Sequence, residues 1–374
     1  MPKITLRHVT KQWGKFIGVN DLNLEIEDRS FVTLLGSSGC GKTTTLRMIA
    51  GLETPTRGEI CFDDRVMFSS EKNINVPPAR REVGFLFQNY ALWPHMTVYQ
   101  NIAFGLETLK WKKQAVAERV AEMLRTMKIE QFAERYPAEL SGGQQQRVAI
   151  ARTLAPKPRV LFMDEPLSNL DAKLRGEMRT ELKRLHRDMG STFLYVTHDQ
   201  LEAMTLSTKI CLMNEGVLQQ YAPPLTVYNR PSNLFVADFV GNPAMNIVKA
   251  GARKISASTA EIDVFGRHGL FQANEDFELT SGQVCLGIRP EFLPIGDAGQ
   301  LEGQAYSTLP AGMETTVKIK IADEILSSVV FGAIDYETDA RIRFDIAGNG
   351  ILMFEPDSGL MLASGRISME KEKC

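Results

Sequence analysis

The chain has 374 residues, with 43 Lys and Arg against 45 Asp and Glu and a formal net charge of -2 at neutral pH. That length allows a large core and about two domains, and the near balance of charge gives no reason to expect the broad basic surface of a nucleic-acid binder. Five scattered cysteines, Cys40, Cys61, Cys211, Cys285 and Cys374, never in C-x-x-C spacing, indicate neither a disulfide framework nor a zinc site and fit a reducing compartment.

The N-terminus, MPKITLRHVT, lacks the charged-then-apolar pattern of a signal peptide, and no stretch approaches the roughly 18 apolar residues that cross a bilayer. Work at a membrane would need other chains to hold this one there.

In chain order, residues 30–35 (SFVTLL) read as a buried strand and residues 43–52 (TTTLRMIAGL) as the helix after it. Between them lies Gly36-Ser37-Ser38-Gly39-Cys40-Gly41-Lys42-Thr43, followed by Thr44, which matches G-x-x-x-x-G-K-[ST]. The glycines let backbone N–H groups curl around phosphate oxygens. Lys42 would reach the outer phosphates, and the Thr43 hydroxyl would ligate Mg²⁺. The helix N-terminus adds partial positive charge. A helical block is expected from about Gln114 to Arg135, with Val116, Val120, Met123, Leu124 and Met127 on one face.

Next comes Leu140-Ser141-Gly142-Gly143-Gln144-Gln145-Gln146-Arg147 ahead of VAIARTLA. Ser141 and Gln144 have capping-box spacing, which by itself means a helix start. Two glycines in that first turn also leave N–H groups approachable by a second phosphate. Residues 159–163 (RVLFM) are a continuous apolar strand ending in Asp164 and Glu165. Asp164 at the tip would hold Mg²⁺, largely through water, and Glu165 would act as general base on the water attacking a γ-phosphate. An acidic pair closing a strand before the Pro166 turn is the other reading of the same residues. Leu174, Met178, Leu182, Leu185 and Met189 then recur at helical spacing with Gly190 as a stop, and residues 192–197 (TFLYVT) form another buried strand. From about residue 237 the texture changes to short alternating strands such as VKIKI and RIRFDI, which predict a β-barrel-like second domain. The last residues, MEKEKC, read as a frayed tail.

The LSGGQ stretch, with the phosphate loop before it and the acidic strand after it, resembles ATP-binding cassette proteins, and the motifs follow that family's order across the whole cassette. The resemblance implies that the signature of one subunit closes on ATP held by the phosphate loop of another. It also implies that Trp13 stacks on the adenine, where a lone aromatic would otherwise be ordinary packing. Gln88 would sense Mg²⁺ and the γ-phosphate and link them to a membrane partner, the loop of Asp171 would communicate across the dimer, and His198 would contact the γ-phosphate. The expected catalytic residues are thus Glu165, His198 and Gln88, with Thr43, Gln88 and Asp164 at the metal. Tyr90, Leu92, Trp93 and Met96 are candidates for a groove that receives the membrane subunits.

Asn233 to Asn246 (NLFVADFVGNPAMN) and LGIRPE at residues 286–291 resemble the join and C-terminal regulatory domain of carbohydrate-importer ATPases of the maltose and glycerol-3-phosphate type. Asn242 replaces the serine of that group's G-S-P-x-M-N. The expected fold class is therefore α/β: a P-loop NTPase cassette over residues 1–236, with a helical subdomain at about 89–155. An all-β OB-like, TOBE-type regulatory domain is expected over residues 237–374.

The implied protein is a homodimeric ATPase on the cytoplasmic face of the bacterial inner membrane. It would work with two transmembrane permease subunits and, indirectly, an extracytoplasmic binding protein. ATP and Mg²⁺ are its cofactors, a regulatory partner at the C-terminal domain is allowed, and nucleic acid is not expected. The alternatives are the ATPase of an iron, sulfate or polyamine importer, or a soluble cassette that remodels nucleic acid or ribosomes. The latter typically carries a second cassette or a long coiled-coil insert, and neither is present here.

Overall fold

The structure is a computed structural model and describes residues 2–369; all but Met369 of the expected tail lies outside them. The chain forms two compact units, Met1–Pro224 and Leu225–Cys374.

The first unit is built on a six-stranded sheet. Its spatial order is Val217–Ala222, Lys209–Asn214, Phe31–Leu35, Thr192–Val196, Val160–Asp164 and Val83–Leu86. All neighbours are parallel except the first pair. Phe31–Leu35, Thr192–Val196 and Val160–Asp164 are buried at every position, as a sheet covered on both faces requires. Leu34 pairs with Val196, and Val196 with Asp164. The three strands therefore end together, and the segments that follow leave from one carboxyl edge, where open α/β sheets place their ligands. A second, antiparallel five-stranded sheet contains Ile4–Trp13 and Phe16–Ile26.

The helical part consists of Val98–Thr108, Lys113–Met127 and Gly142–Leu154, packed through Ile102, Leu106, Val120, Met123, Val148 and Leu154. The block expected to run to Arg135 stops at Met127. Lys128 adopts a left-handed C-cap with φ 57°, the Arg147 guanidinium takes the freed Met127 carbonyl at 3.0 Å, and Glu130–Phe132 is a separate 3₁₀ turn. Apolar spacing continues past that point, but the cap breaks the backbone ladder. In the helix Ala172–Met189, Met178, Leu182 and Leu185 are buried, and Gly190 closes the end with φ 60°.

The second unit is a closed six-stranded barrel beside a four-stranded antiparallel sheet, the β-barrel-like region that the alternating patterns predict and consistent with the OB-like domain that the resemblance implies. In Glu314–Ile321, Thr315, Val317 and Ile319 point inward by strict alternation. The unit begins before the boundary expected at residue 236, because the short helix Leu234–Phe239 packs with the barrel. Ala237 lies in one cluster with Met245, Cys285, Leu352 and Phe354, and Leu234 N–H donates to the Gly359 carbonyl at 2.8 Å. The change from helix to strand marks a change of element type, whereas packing sets the boundary of the unit.

Candidate active site

The phosphate loop leaves the sheet directly after Leu35 and enters the helix Lys42–Ala50 through Gly41. Gly41 has φ 97°, and a Cβ there would lie 2.4 Å from the Gly18 carbonyl oxygen, so only glycine fits. No side chain caps this helix, and its first-turn N–H groups keep their partial positive charge for a ligand. Lys42 is 5% exposed, its ammonium donating to the carbonyls of Gly36 and Ser37 at 2.8 Å each. The lysine is thus folded back on the loop, held by two carbonyl dipoles and a weaker contact to Cys40 Sγ at 3.7 Å, and a phosphate would exchange those carbonyls for a full negative charge.

Thr43 opens the helix with its hydroxyl donating to Asp164 Oδ1 at 2.9 Å. Arg47, one turn further on, reaches Asp164 Oδ2 at 3.3 Å. Asp164 is 4% exposed at the strand tip, so its carboxylate is held in place from the side of the phosphate loop. Glu165 sits beyond it with φ 46° and its N–H donates to the Val196 carbonyl at 3.1 Å. The left-handed backbone turns the side chain out of the sheet. Gln88 Nε2 donates to Glu165 Oε2 at 3.3 Å, and His198 Nδ1 lies 3.5 Å from the same oxygen. Residues 77 and 33 positions away in sequence thus converge on one carboxylate oxygen.

Trp13 and Phe16 flank a two-residue turn and stack with centroids 6.2 Å apart, and the Lys11 ammonium lies 5.1 Å from the Trp13 ring centre. A Cβ on Gly18 would meet the Trp13 ring at 2.5 Å. Because Gly18 also contacts Gly41, the exposed indole is on the flank of the phosphate loop. Ser141 and Gln144 complete a reciprocal capping box, so Gly142 and Gly143 start the helix Gly142–Leu154. A Cβ on Gly143 would come 2.1 Å from Leu174 Cδ2. That packs the signature turn against the helix capped by Asp171, whose carboxylate accepts from Leu174 N–H at 2.9 Å. The expected residues therefore fall into a phosphate-loop cluster with Asp164, Glu165, Gln88 and His198, and a signature cluster with Asp171.

Sequence reasoning missed Phe16, Arg47 and Lys11. Spacing could have found two of them: Phe16 faces Trp13 across a two-residue turn, and Arg47 follows Thr43 by one helical turn.

On the same unit lies an apolar cavity of about 770 Å³ lined by Phe85, Phe87, Trp93, Phe104, Leu109 and Arg152, among others. Arg152 packs over the Trp93 ring at 4.7 Å and donates to the Tyr90 and Ala91 carbonyls at 2.7 and 2.6 Å. Of the groove candidates only Trp93 lines this cavity. Tyr90 is buried in the helical core and Leu92 packs against that core, while Met96 is not among the lining residues. An Asn101 amide clasps the carbonyls of Trp93, Met96 and Thr97, and Tyr90 and Ala91 take left-handed φ values of 60° and 45°, so the segment has no regular period.

The donor set expected for a metal is a hydroxyl, a carboxylate and an amide on Thr43, Asp164 and Gln88. Among the described residues no group of three or more His, Cys, Asp or Glu forms a cage. Few protein oxygens beside a phosphate cradle suit Mg²⁺, which keeps waters and substrate phosphate oxygens in its shell. The residues present fit it.

The family model described as ABC transporter matches residues 19–168. Trehalose/maltose import ATP-binding protein MalK of Thermococcus litoralis is 49% identical over 299 residues, 78% of this chain and 79% of that protein. The chain belongs to the ABC transporter family. Maltose/maltodextrin import ATP-binding protein MalK of Escherichia coli K12 is 44% identical over 327 residues and 86% of each chain. A solved dimeric ATP-binding cassette in a post-hydrolysis state, bound to ADP and Pi, is similar over 59% of this chain and 98% of its own, with 31% identity and a TM-score of 0.52. As an ABC transporter ATPase the chain takes ATP with Mg²⁺.

Proposed function

We propose that this chain is the ATP-hydrolysing subunit of a carbohydrate importer, acting as a homodimer with two composite sites. The carbohydrate reading is supported by the names of the maltose and trehalose relatives, which favour it over iron, sulfate and polyamine transport. The convergence of Gln88 and His198 on Glu165, next to an Asp164 already joined to Thr43, carries the catalytic reading.

Trp13 and Phe16 offer the adenine a stacking face. The loop from Gly36 to Thr44 surrounds the phosphates, and Lys42 leaves its two carbonyls to meet the outer ones. Thr43, Asp164 and Gln88 would hold Mg²⁺, which when bound would neutralise phosphate charge. Glu165 accepts a proton from water as the water oxygen bonds to the γ-phosphorus and the bond to the β-phosphate oxygen breaks, giving ADP and phosphate. His198 steadies the γ-phosphate and, through Glu165 Oε2, the base. Ser141 to Gln144 of the second copy close the site with the Gly142 and Gly143 N–H groups that the capping box leaves unused, and the Asp171 turn meets it across the dimer.

Closure is transmitted to two membrane-spanning subunits through the apolar cavity at Trp93, Phe104 and Leu109, beside Gln88. No helix among the described residues is long and apolar enough to cross a membrane. The chain is held at the cytoplasmic face of the membrane by those subunits, with an extracytoplasmic binding protein delivering the sugar to them. The barrel unit is the place for a regulatory partner. Purification of the tagged chain from native membranes in mild detergent, with mass spectrometry, tests this: two multi-span proteins should accompany it, and recovery of soluble or ribosomal partners alone would overturn the transport role.

A further inference from the structure

Arg175 lies one turn into the helix that Asp171 caps, and its own N–H donates to the Asp171 carbonyl at 2.9 Å. Its guanidinium reaches back to the Leu170 carbonyl at 3.0 Å and across to the turn carrying His198. There Nη1 is 3.5 Å from Asp199 Oδ2 and Nε is 3.9 Å from Glu202 Oε1. Glu202 is 3% exposed, and its other oxygen accepts from the Tyr195 and Thr197 hydroxyls at 2.7 Å each. Thr197 Oγ1 accepts from Asp199 N–H at 2.9 Å, and Asp199 Oδ1 caps the following helix through Leu201 and Glu202 N–H.

Both neighbours of His198 are therefore locked in one hydrogen-bonded network, while His198 itself lies over Glu165. Burying the Glu202 carboxylate is costly unless it is paired. Burial, helped by the Asp199 charge, holds its pKa above the ordinary carboxylate value, and the two hydroxyls and Arg175 offset this only in part. An apolar side chain would fill the place of Glu202 at less cost. The charge pair instead joins the two turns: the one that would meet the second copy at Asp171, and the one that presents the histidine.

We propose that Arg175 is a positioning residue for hydrolysis, a cationic tether that makes the Asp171 turn and the His198 turn move together. Contact across the dimer then sets the imidazole as well as the partner site. This rests on the reading of His198 given above.

The test measures steady-state ATP hydrolysis by the full chain for Arg175→Ala, alone and in a His198→Ala background. Alone, Arg175→Ala should lower kcat about tenfold or more while KM for ATP moves less than about threefold, and Arg175→Lys should recover part of the loss. In the His198→Ala background the same change should cost less than about twofold, because its route to the chemistry is already gone. An equal fold-loss in both backgrounds would make Arg175 merely structural and overturn the tether while leaving His198 in place. Full activity of His198→Ala alone would overturn the underlying role of His198 and the tether with it. If Arg175→Ala does not fold, Asp199→Asn, which keeps an oxygen for the helix cap, is carried through the same cycle with the same criteria.

Discussion

Replacing Glu165 with Gln removes the proton acceptor, and with it the charge facing His198, while keeping the shape of the site. The amide has nearly the same volume, its oxygen still accepts from Gln88 Nε2 at about the 3.3 Å seen for the carboxylate, and the φ of 46° is no harder for Gln than for Glu. Lys42, the loop and the Thr43–Asp164 hydrogen bond are untouched, so ATP affinity should change by less than about threefold. What is lost is a group able to take the water proton. General-base catalysis contributes roughly 10²–10⁴ in rate, or about 3–5 kcal/mol of barrier at about 1.36 kcal/mol per decade. The variant should therefore bind MgATP, remain dimeric with it in sedimentation, and release phosphate at least about a hundredfold more slowly. A kcat within about threefold of the parent would remove Glu165 from the base role and refute the reasoning from its position.

Arg81 is 2% exposed and donates to the carbonyls of Val76, Met48 and Ile49 at 2.8, 3.0 and 2.7 Å, the last two at the end of the phosphate-loop helix. Burial holds its guanidinium down at about 10. Arg81→Met should cost about 3–5 kcal/mol in urea unfolding by stranding those carbonyls, and a loss under about 1 kcal/mol would contradict this. His186 is wedged against Phe31 and Phe193 and its Nε2–H donates to the Arg29 carbonyl at 3.0 Å. Burial holds its pKa below the ordinary 6.5. The unfolded chain then takes up the proton first, so this contribution is complete above about pH 6.5 and is lost as pH falls toward the folded value. His186→Gln should flatten the dependence of melting temperature on pH just below about 6.5, and an unchanged slope would count against it. Trp93→Ala opens the apolar cavity beneath Arg152 and should impair sugar uptake by the assembled transporter while leaving ATP hydrolysis by the isolated chain within about twofold. Equal loss of both would argue that Trp93 supports the cassette and not the groove.

The chemistry-bearing stretches were legible because each is a local pattern with a local physical reason. The phosphate loop needs glycine at Gly41, where a Cβ would strike Gly18; the Ser141 and Gln144 pair closes a capping box within four residues; the all-apolar run ending at Asp164 can only be a covered strand. The helix ending at Met127 was not legible, since a left-handed Lys128 competes against an apolar pattern that continues. Nor was the packing of Leu234–Phe239 with the barrel, because helical texture says nothing about which core a helix joins. Which residues of YALWPHM face the cavity was not legible either. Adjacent residues in an irregular segment have no fixed period, so Asn101 and the local turns decide that Trp93 faces the cavity and Tyr90 the core.

The sequence by itself determined that the chain has a phosphate cradle, a signature turn, two carboxylates at a strand tip and a β-rich second unit, because these depend on residue type at short range. Only the tertiary structure decided that Gln88 and His198 meet at one oxygen of Glu165, that Arg47 steadies Asp164, and that Arg175 bridges the turns of Asp171 and His198. Those contacts depend on strand order and parallel register, which bring the ends of Phe31–Leu35, Val160–Asp164 and Thr192–Val196 to one edge of the sheet. No spacing along the chain encodes that order, because it follows from how the covered strands pack most apolar surface out of water.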